Sequence, residues 1–348
     1  MLNYLRKKIL SKKTKPYKLI RSKKYNSHEF KEFNFEYRRY GNKNPKKFFY
    51  IIRRVPGAGF FSNLAFVNHH LLIAEKLKLI PVVDMENYQT IYNCKKKING
   101  TFNSWLYYFK QVSKYSLEEV YKSKNVIICD NRANISKYIN DISLTTPKHR
   151  KIFDKYIHIN KDIIEKVKKI TLQNFKDKKI LGVHYRGSDQ KKAGYHPHPA
   201  TEKQILNATE MLLDKYKFDK IYLCTEDSDY LELYKKNFGK KLIYSNVPRT
   251  TDSKDLFDGI KKNHRYEIGK GNLIDMLMLS KVDYLLCAPS NIAAMSEFIA
   301  KKKIPCTFIW NGMKGNIFLS QYSWYLKKVL PKFLGGFDND IYKKKIKF

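Results

Sequence analysis

Acidic residues are scarce in this sequence. The 32 Asp and Glu stand against 69 Lys and Arg, which leaves a formal net charge of +37. Cysteine is sparse as well. Cys94, Cys129, Cys224, Cys287 and Cys306 are irregularly spaced and include no CxxC pair. That excludes a small disulfide framework and makes a zinc site unexpected. An odd number of mostly apolar-flanked thiols fits buried cysteines in a reducing cytosol. No run of roughly 18 apolar residues occurs, so no transmembrane helix is expected. No apolar segment of signal-peptide length follows Met1–Leu10, and a cytoplasmic location is the expectation. There is no internal repeat of solenoid period. No DxD triad ends a strand, although Asp252, Asp255 and Asp258 stand unassigned. Neither a metal nor a cofactor is expected.

What is present points to two folded domains. A chain of 348 residues is long for one core, and 43% hydrophobic residues suffice to fill two. The positive charge has two readings. It suits a polyanionic partner, whether nucleic acid, an anionic membrane surface or a phosphorylated substrate. It also suits an AT-rich genome, since lysine far outnumbers arginine and Asn, Ile, Tyr and Phe are abundant. The lysines are spread along the chain rather than gathered in a stripe, which fits composition plus a modest membrane or phosphate role. Leu2, Leu5, Ile9 and Leu10, mixed with Arg6, Lys7 and Lys8, suit either a short membrane-surface helix or a basic tail.

Residues 1–46 read as a basic N-terminal extension and residues 47–150 as an α/β domain. The FFYIIRR run at Phe48–Arg54 predicts a strand, and PGAGFFSN at Pro56–Asn63 a glycine-rich turn. A helix over Leu64–Leu77 and a strand at Ile80–Val83 complete a βαβ unit. Asn125–Cys129 is a further strand, and TTPKHR at Thr145–Arg150 a boundary. Residues 151–335 form a second alternating series, and 336–348 a basic tail. Its strands are Lys179–Tyr185, Lys220–Cys224, Lys241–Tyr244, Tyr284–Cys287 and Thr307–Trp310. The helices between them are Ala200–Tyr216, Asp229–Lys236, Asn272–Ser280 and Asn291–Lys301, with Lys161–Lys176 leading in. The fold class is therefore α/β, with two Rossmann-like doubly wound domains facing a cleft. In such sheets ligands sit beyond the carboxyl ends of the strands.

Three such strand ends carry polar residues. GVHYRGSD, Gly182–Asp189, breaks from a buried strand into His184, Arg186, Ser188 and Asp189. Arginine suits a diphosphate because its guanidinium fork donates directed hydrogen bonds and stays charged. As a sugar–phosphate bond breaks, charge grows on the leaving diphosphate, and a fixed Arg stabilises it. An ion pair between Arg186 and Asp189 explains the same residues. IYLCTED, Ile221–Asp227, ends in Thr225, Glu226 and Asp227, which also suit a helix N-terminus. In Asp275–Asn291, a helix bearing Asp275 leads to the strand Tyr284–Cys287. Ser290 and Asn291 then open the next helix, where N–H groups can bind an anion and Ser can serve as N-cap.

These motifs, in this order, resemble the α-1,6-fucosyltransferase and protein O-fucosyltransferase superfamily, which includes the bacterial nodulation fucosyltransferases. Its H-x-R-x-[ST]-D motif is matched by His184, Arg186, Ser188 and Asp189. Its D-x-x-x-L-S-x-x-D-[FY]-L-[VL]-C motif is matched by Asp275, Leu279, Ser280, Asp283, Tyr284, Leu285, Leu286 and Cys287, followed by Ser290 and Asn291. The likeness spans roughly residues 50–310. It implies a GT-B-like fold and an inverting, metal-independent transfer from a GDP-sugar, most naturally GDP-fucose, to a cell-surface glycan. By position, Arg186 binds the β-phosphate, and His184 and Asp275 contact the nucleoside, with Asp275 at the guanine edge. Ser290 and Asn291 hold phosphates. Gly57, Gly59 and Asn63 supply a glycine-rich loop facing the donor, and Thr225, Glu226 and Asp227 stand where a second donor motif lies.

Two departures stand out. Gly187 occupies the place of a second arginine in the α-1,6 enzymes, and Gln190–Tyr195 lacks the carboxylate proposed as base. Asp189, His196, His198 and Glu202 are then the candidate bases. His196 is favoured for a neutral imidazole that accepts a proton near pH 7. The expected partners are a GDP-sugar, a glycan acceptor of lipid-linked type, and the anionic inner face of the cytoplasmic membrane, with no nucleic acid. Another GDP-linked deoxy-hexose or heptose is the near alternative. A non-catalytic basic protein binding nucleic acid or membrane is the distant one.

Overall fold

The computed structural model describes residues 36–54, 58–129, 147–187, 190–192, 194–250, 263–315 and 317–339. Gly57, Ser188, Asp189, the three unassigned aspartates and the Leu2–Leu10 segment lie outside them. Contacts divide the chain into two compact units, Met1–Lys161 and Asp162–Phe348.

The first unit runs β1 (Glu36–Arg38), β2 (Lys43–Ile52), α1 (Phe60–Lys76), β3 (Ile80–Val83), α2 (Leu117–Val120), β4 (Ser123–Ile128) and α3 (Pro147–Tyr156). Its sheet has the order β1-β4-β2-β3. Strand β2 lies parallel to both β3 and β4, and β1 is antiparallel to β4. Phe49–Ile52 of this run are buried because β2 is central and covered there on both faces. Phe49 and Ile51 pack with Val82, Val126 and Ile128. Tyr50, on the other face, hydrogen bonds to His70 Nδ1 on α1 at 2.7 Å. Strand β1 lies in the stretch read as an extension. It is a short, polar edge strand without a period-2 apolar pattern, held by Tyr37 donating to Asn125 Oδ1 at 2.6 Å. At Pro147 the expected boundary is the start of α3, a position that suits proline because no N–H is needed there.

The second unit runs α4 (Lys161–Asn174), β5 (Ile180–His184), α5 (Glu202–Tyr216), β6 (Lys220–Cys224), α6 (Ser228–Phe238), β7 (Leu242–Tyr244), α7 (His264–Leu279), β8 (Tyr284–Cys287), α8 (Asn291–Ile299), β9 (Cys306–Phe308) and α9 (Ile317–Val329). All five strands are parallel, in the order β7-β6-β5-β8-β9. Leu181, Val183, Leu223 and Leu286 pack against Ile205 and Leu212 of α5. The chain builds outward from β5 through β6 to β7, then crosses back so that β8 lies on β5's other side. The order of building therefore reverses between β5 and β8, which is where a doubly wound sheet opens a crevice for a ligand.

Helix α7 begins well before the expected Asn272. Two glycines, Gly269 and Gly271, interrupt its sequence pattern, and glycine ordinarily argues against a helix interior. The structure supplies the reason for one of them. A Cβ on Gly271 would stand 2.6 Å from Val247 Cγ1, so the glycine admits the loop after β7. Gly182 in β5 does the same for Val282 and Leu279.

Candidate functional site

The site assembles at the carboxyl edge of the second sheet. His184 is in register with Cys224 of β6 and Cys287 of β8. The residues just beyond them, Arg186, Thr225, Glu226 and Ser290, therefore emerge along one edge. His184 is buried, and its Nδ1 lies 3.0 Å from Ser290 Oγ. This bond joins β5 to α8 across the switch point. Burial, and secondarily the charge of Arg186, hold the His184 pKa down at about 3, so its imidazole is neutral.

Ser290 also N-caps α8, accepting from the Ala293 N–H at 3.2 Å. The first i to i−4 bond of α8 comes from Ala294, at 3.2 Å to the Ser290 carbonyl. The N–H groups of Asn291 and Ile292 precede it, at the positive end of the helix dipole.

Arg186 is about one-third exposed. Its Nε lies 3.9 Å from Glu226 Oε1, which also accepts from the Gly187 N–H at 3.4 Å. A solvent-facing pair of this length contributes at most about 1 kcal/mol. Bidentate charge-assisted bonds from a guanidinium to an anion are stronger, at about 1.5–3 kcal/mol each.

Tyr185, between His184 and Arg186, stacks on Tyr230 with ring centroids 3.6 Å apart. This explains Gly187. A Cβ there would lie 2.4–2.7 Å from the Tyr230 ring, so no second arginine fits without moving the stack. Gly187→Ala is expected to displace Tyr230 from Tyr185, shift the loop that carries Arg186 and lower the melting temperature. An unchanged melting temperature, with the tyrosine stack intact in a crystal structure, would contradict that.

The remaining sequence-derived residues take different places. Thr225 is buried, and its Oγ1 accepts from the Asp227 N–H at 3.2 Å. Asp227 caps α6, accepting from the N–H groups of Asp229 and Tyr230 at 2.9 and 3.4 Å. Asp275 is buried, and its Oδ1 accepts from the hydroxyls of Tyr222, at 2.7 Å, and Ser245. Burial pushes its pKa up, against those hydrogen bonds and the charge of Arg249. The carboxylate thus ties α7 to β6 and to the loop after β7.

His196 is exposed, and its carbonyl accepts from the Lys314 N–H at 3.0 Å. His198 is buried with Nδ1 unpartnered, and burial lowers its pKa to about 4. Glu202 opens α5 and pairs with Lys328 at 2.8 Å. Among the described residues, no group of three or more His, Cys, Asp or Glu is placed to hold a metal ion.

In the first unit, Gly59 is the N-cap position of α1, and its carbonyl accepts from the Asn63 N–H at 3.0 Å. Asn63 is buried. Its Nδ2 donates to the Ala58 carbonyl at 3.3 Å, and its Oδ1 has no partner. It borders a recess shared with Phe60, Tyr92, Ser104 and Tyr108.

Sequence reading overlooked two arginines. Arg54 ends the β2 run, buried, with one nitrogen donating to Ser62 Oγ at 3.2 Å and Nε unpartnered. Arg249 donates to the carbonyls of Thr225, Val247 and Ser245 at 3.1, 3.2 and 2.9 Å, fixing the backbone beside the site. Its sequence signal is faint: a polar VPRT stretch after the short strand β7.

No family model matches this sequence, and no curated protein matches it significantly. Among solved structures, similar ones include the selenomethionine form of the fucosyltransferase NodZ from Bradyrhizobium. It is 16% identical and covers 78% of this chain and 97% of that one, with a TM-score of 0.48. NodZ α-1,6-fucosyltransferase co-crystallized with GDP is 15% identical, covers 72% and 92%, and has a TM-score of 0.45. POFUT1 in complex with GDP-fucose is 11% identical, covers 76% and 98%, and has a TM-score of 0.43.

Proposed function

We propose that this protein is a glycosyltransferase that takes its sugar from a GDP-sugar, most naturally GDP-fucose, and passes it with inversion to a surface-glycan acceptor. One observation carries the reading. His184 and Ser290 meet across the switch point of a doubly wound sheet, with Arg186 and the N-terminus of α8 at the same edge. This is the crevice in which such sheets bind nucleotides, and both halves of it come from the fucosyltransferase-like motifs.

In the proposed reaction an acceptor hydroxyl oxygen forms a bond to the anomeric carbon. The bond from that carbon to the diphosphate oxygen breaks, and GDP leaves with the electron pair. Arg186 holds the β-phosphate and meets the growing charge. The α8 N–H groups and Ser290 share that charge, which lets the transfer proceed without a divalent cation. The acceptor proton goes to a base. Of the described candidates, His198 is buried and poorly basic, and Glu202 is engaged by Lys328. His196 is exposed and is the base proposed here. Asp275, which the resemblance puts at the guanine edge, is buried and accepts from the hydroxyls of Tyr222 and Ser245, so it acts here by fixing those two side chains.

Calorimetric titration is expected to show GDP binding at micromolar strength and no comparable binding of UDP. Turnover of the GDP-sugar is expected to persist in EDTA. Absence of GDP binding would overturn the donor assignment, and salt-sensitive affinity for oligonucleotides in its place would favour a basic binding protein. Loss of turnover in EDTA, restored by magnesium, would overturn metal independence alone.

A further inference from the structure

Among the described side chains of helix α9, one is buried as an anchor and a row of apolar ones is exposed. Trp324 is buried, and its Nε1 donates to the Pro199 carbonyl at 3.0 Å. The ammonium groups of Lys191 and Lys328 lie 5.0 and 5.1 Å from its ring. Tyr322, Tyr325, Leu326 and Val329 repeat at i, i+3, i+4 and i+7, so they share a face, and all are exposed, Val329 by 77%.

The chain then hooks back. Leu334 and Gly336 N–H groups donate to the Pro331 carbonyl at 3.0 and 3.1 Å, and the Phe337 N–H donates to the Lys327 carbonyl at 3.0 Å. Lys332 pairs with Asp338 at 2.7 Å. Gly335 sits at φ +86°, in the left-handed region, and a Cβ on Gly336 would collide with the Leu330 carbonyl, so the hook closes only with glycine at these positions. Phe337 is buried beside His198, with ring centroids 5.3 Å apart. At the tip of this fixed turn Phe333 stands 86% exposed, beside exposed Leu334.

A turn tied by its own hydrogen bonds gains nothing from a Phe and a Leu in water. Large apolar side chains held exposed on a fixed turn suit a docking site. Its charge indicates the partner. Lys327, Lys328 and Lys332 flank the apolar tip, within a chain of net charge +37. Lys328 and Lys332 pair with Glu202 and Asp338, and their side chains are still 42% and 67% exposed, so both carry positive charge to the surface. A protruding apolar tip ringed by lysine suits an extended anionic surface, where aromatic and aliphatic side chains enter the interfacial layer and lysines meet headgroups.

We propose that the exposed face of α9 and the hook after it form a membrane-docking surface for an anionic bilayer, with Phe333 and Leu334 as the inserted residues. This stands independently of the donor assignment, since none of these residues belongs to the nucleotide site.

The test is co-sedimentation of the full chain with vesicles of phosphatidylcholine alone and of phosphatidylcholine with phosphatidylglycerol. The wild type is expected to pellet with the mixed vesicles only. The double variant Phe333→Ser/Leu334→Ser is expected to bind them at least about tenfold more weakly, with an unchanged melting temperature. In Phe333→Trp, the added fluorescence is expected to shift to the blue on mixed vesicles and to be quenched by brominated lipid. Undiminished binding of the double variant, or no quenching of Phe333→Trp, would overturn the proposal. A dimer in solution that the double variant dissociates, with no vesicle binding by wild type, would also overturn it and assign the surface to self-association.

Discussion

Arg186→Ala is expected to reduce GDP-sugar turnover by about a thousandfold while leaving the melting temperature within a few degrees of wild type. The two halves of this expectation have separate causes. Arg186 is one-third exposed, and its pair with Glu226 spans 3.9 Å, a solvent-facing contact that contributes at most about 1 kcal/mol to the fold. In the proposed reaction, the leaving diphosphate would lose a fixed cation at the moment its charge grows. Removing one preorganised donor from such a site typically costs about a hundredfold to a thousandfold, and a cation more. Arg186→Lys is expected to recover only part of the activity, because an ammonium cannot donate the paired bonds of a guanidinium. The measurement is steady-state turnover beside thermal melting. An alanine variant with most of its activity would remove Arg186 from the mechanism. A variant that loses activity because it has unfolded would show instead that the residue is structural.

The second large effect is on stability in acid. Burial lowers the pKa of His70 and His184 to about 3 and that of His69 and His198 to about 4. Each unit of the protein holds two of them. A group whose folded pKa lies below its unfolded value of about 6.5 binds fewer protons folded than unfolded. Stability is therefore fully present above pH 6.5 and is lost as pH falls toward 4. Each histidine contributes a slope of up to about 1.4 kcal/mol per pH unit, or about 3 kcal/mol per pH unit for two. A domain stable by about 5–15 kcal/mol cannot sustain that slope for long.

Two buried carboxyls act the other way: burial raises Asp275 and Asp227, so they favour the folded state as pH falls. The expected result is a melting temperature that is level near pH 7 and falls steeply from about pH 6 to pH 4.5. His70→Gln is expected to lessen the slope by about one proton. A flat profile across that range would mean that these imidazoles do not stay neutral in the folded chain.

Much of the candidate site is legible in the sequence because its signal is local. A buried parallel strand is a short apolar run, and a ligand-facing strand end is where that run breaks into polar residues. His184 and Arg186 after ILGV, Thr225 and Glu226 after IYLC, and Ser290 after YLLC are all visible in this way. Apart from β2, which begins at Lys43 rather than Phe48, each expected strand lies within a residue or two of its place, and Lys220–Cys224, Ile80–Val83 and Tyr284–Cys287 coincide with it. Strand β1 escapes because a polar edge strand has no apolar period. The start of α7 escapes because Gly269 and Gly271 look like helix breakers until Val247 is seen packing where a Cβ would be.

By itself, then, the sequence determined the strand and helix series, the polar strand ends and the presence of an arginine at the first of them. These depend on the identity of neighbours along the chain. The tertiary structure alone decided which ends meet. Strand order placed β8 beside β5, and so brought Ser290 to His184 across more than a hundred residues of sequence. Packing also closed Tyr222 and Ser245 over Asp275, set Tyr230 against Gly187, and left Phe333 at the tip of a fixed hook. Such contacts join residues with no pattern in common along the chain. They arise only when sheet order and helix packing bring distant segments within van der Waals reach, and a reading built on periodicity and spacing has no access to that distance.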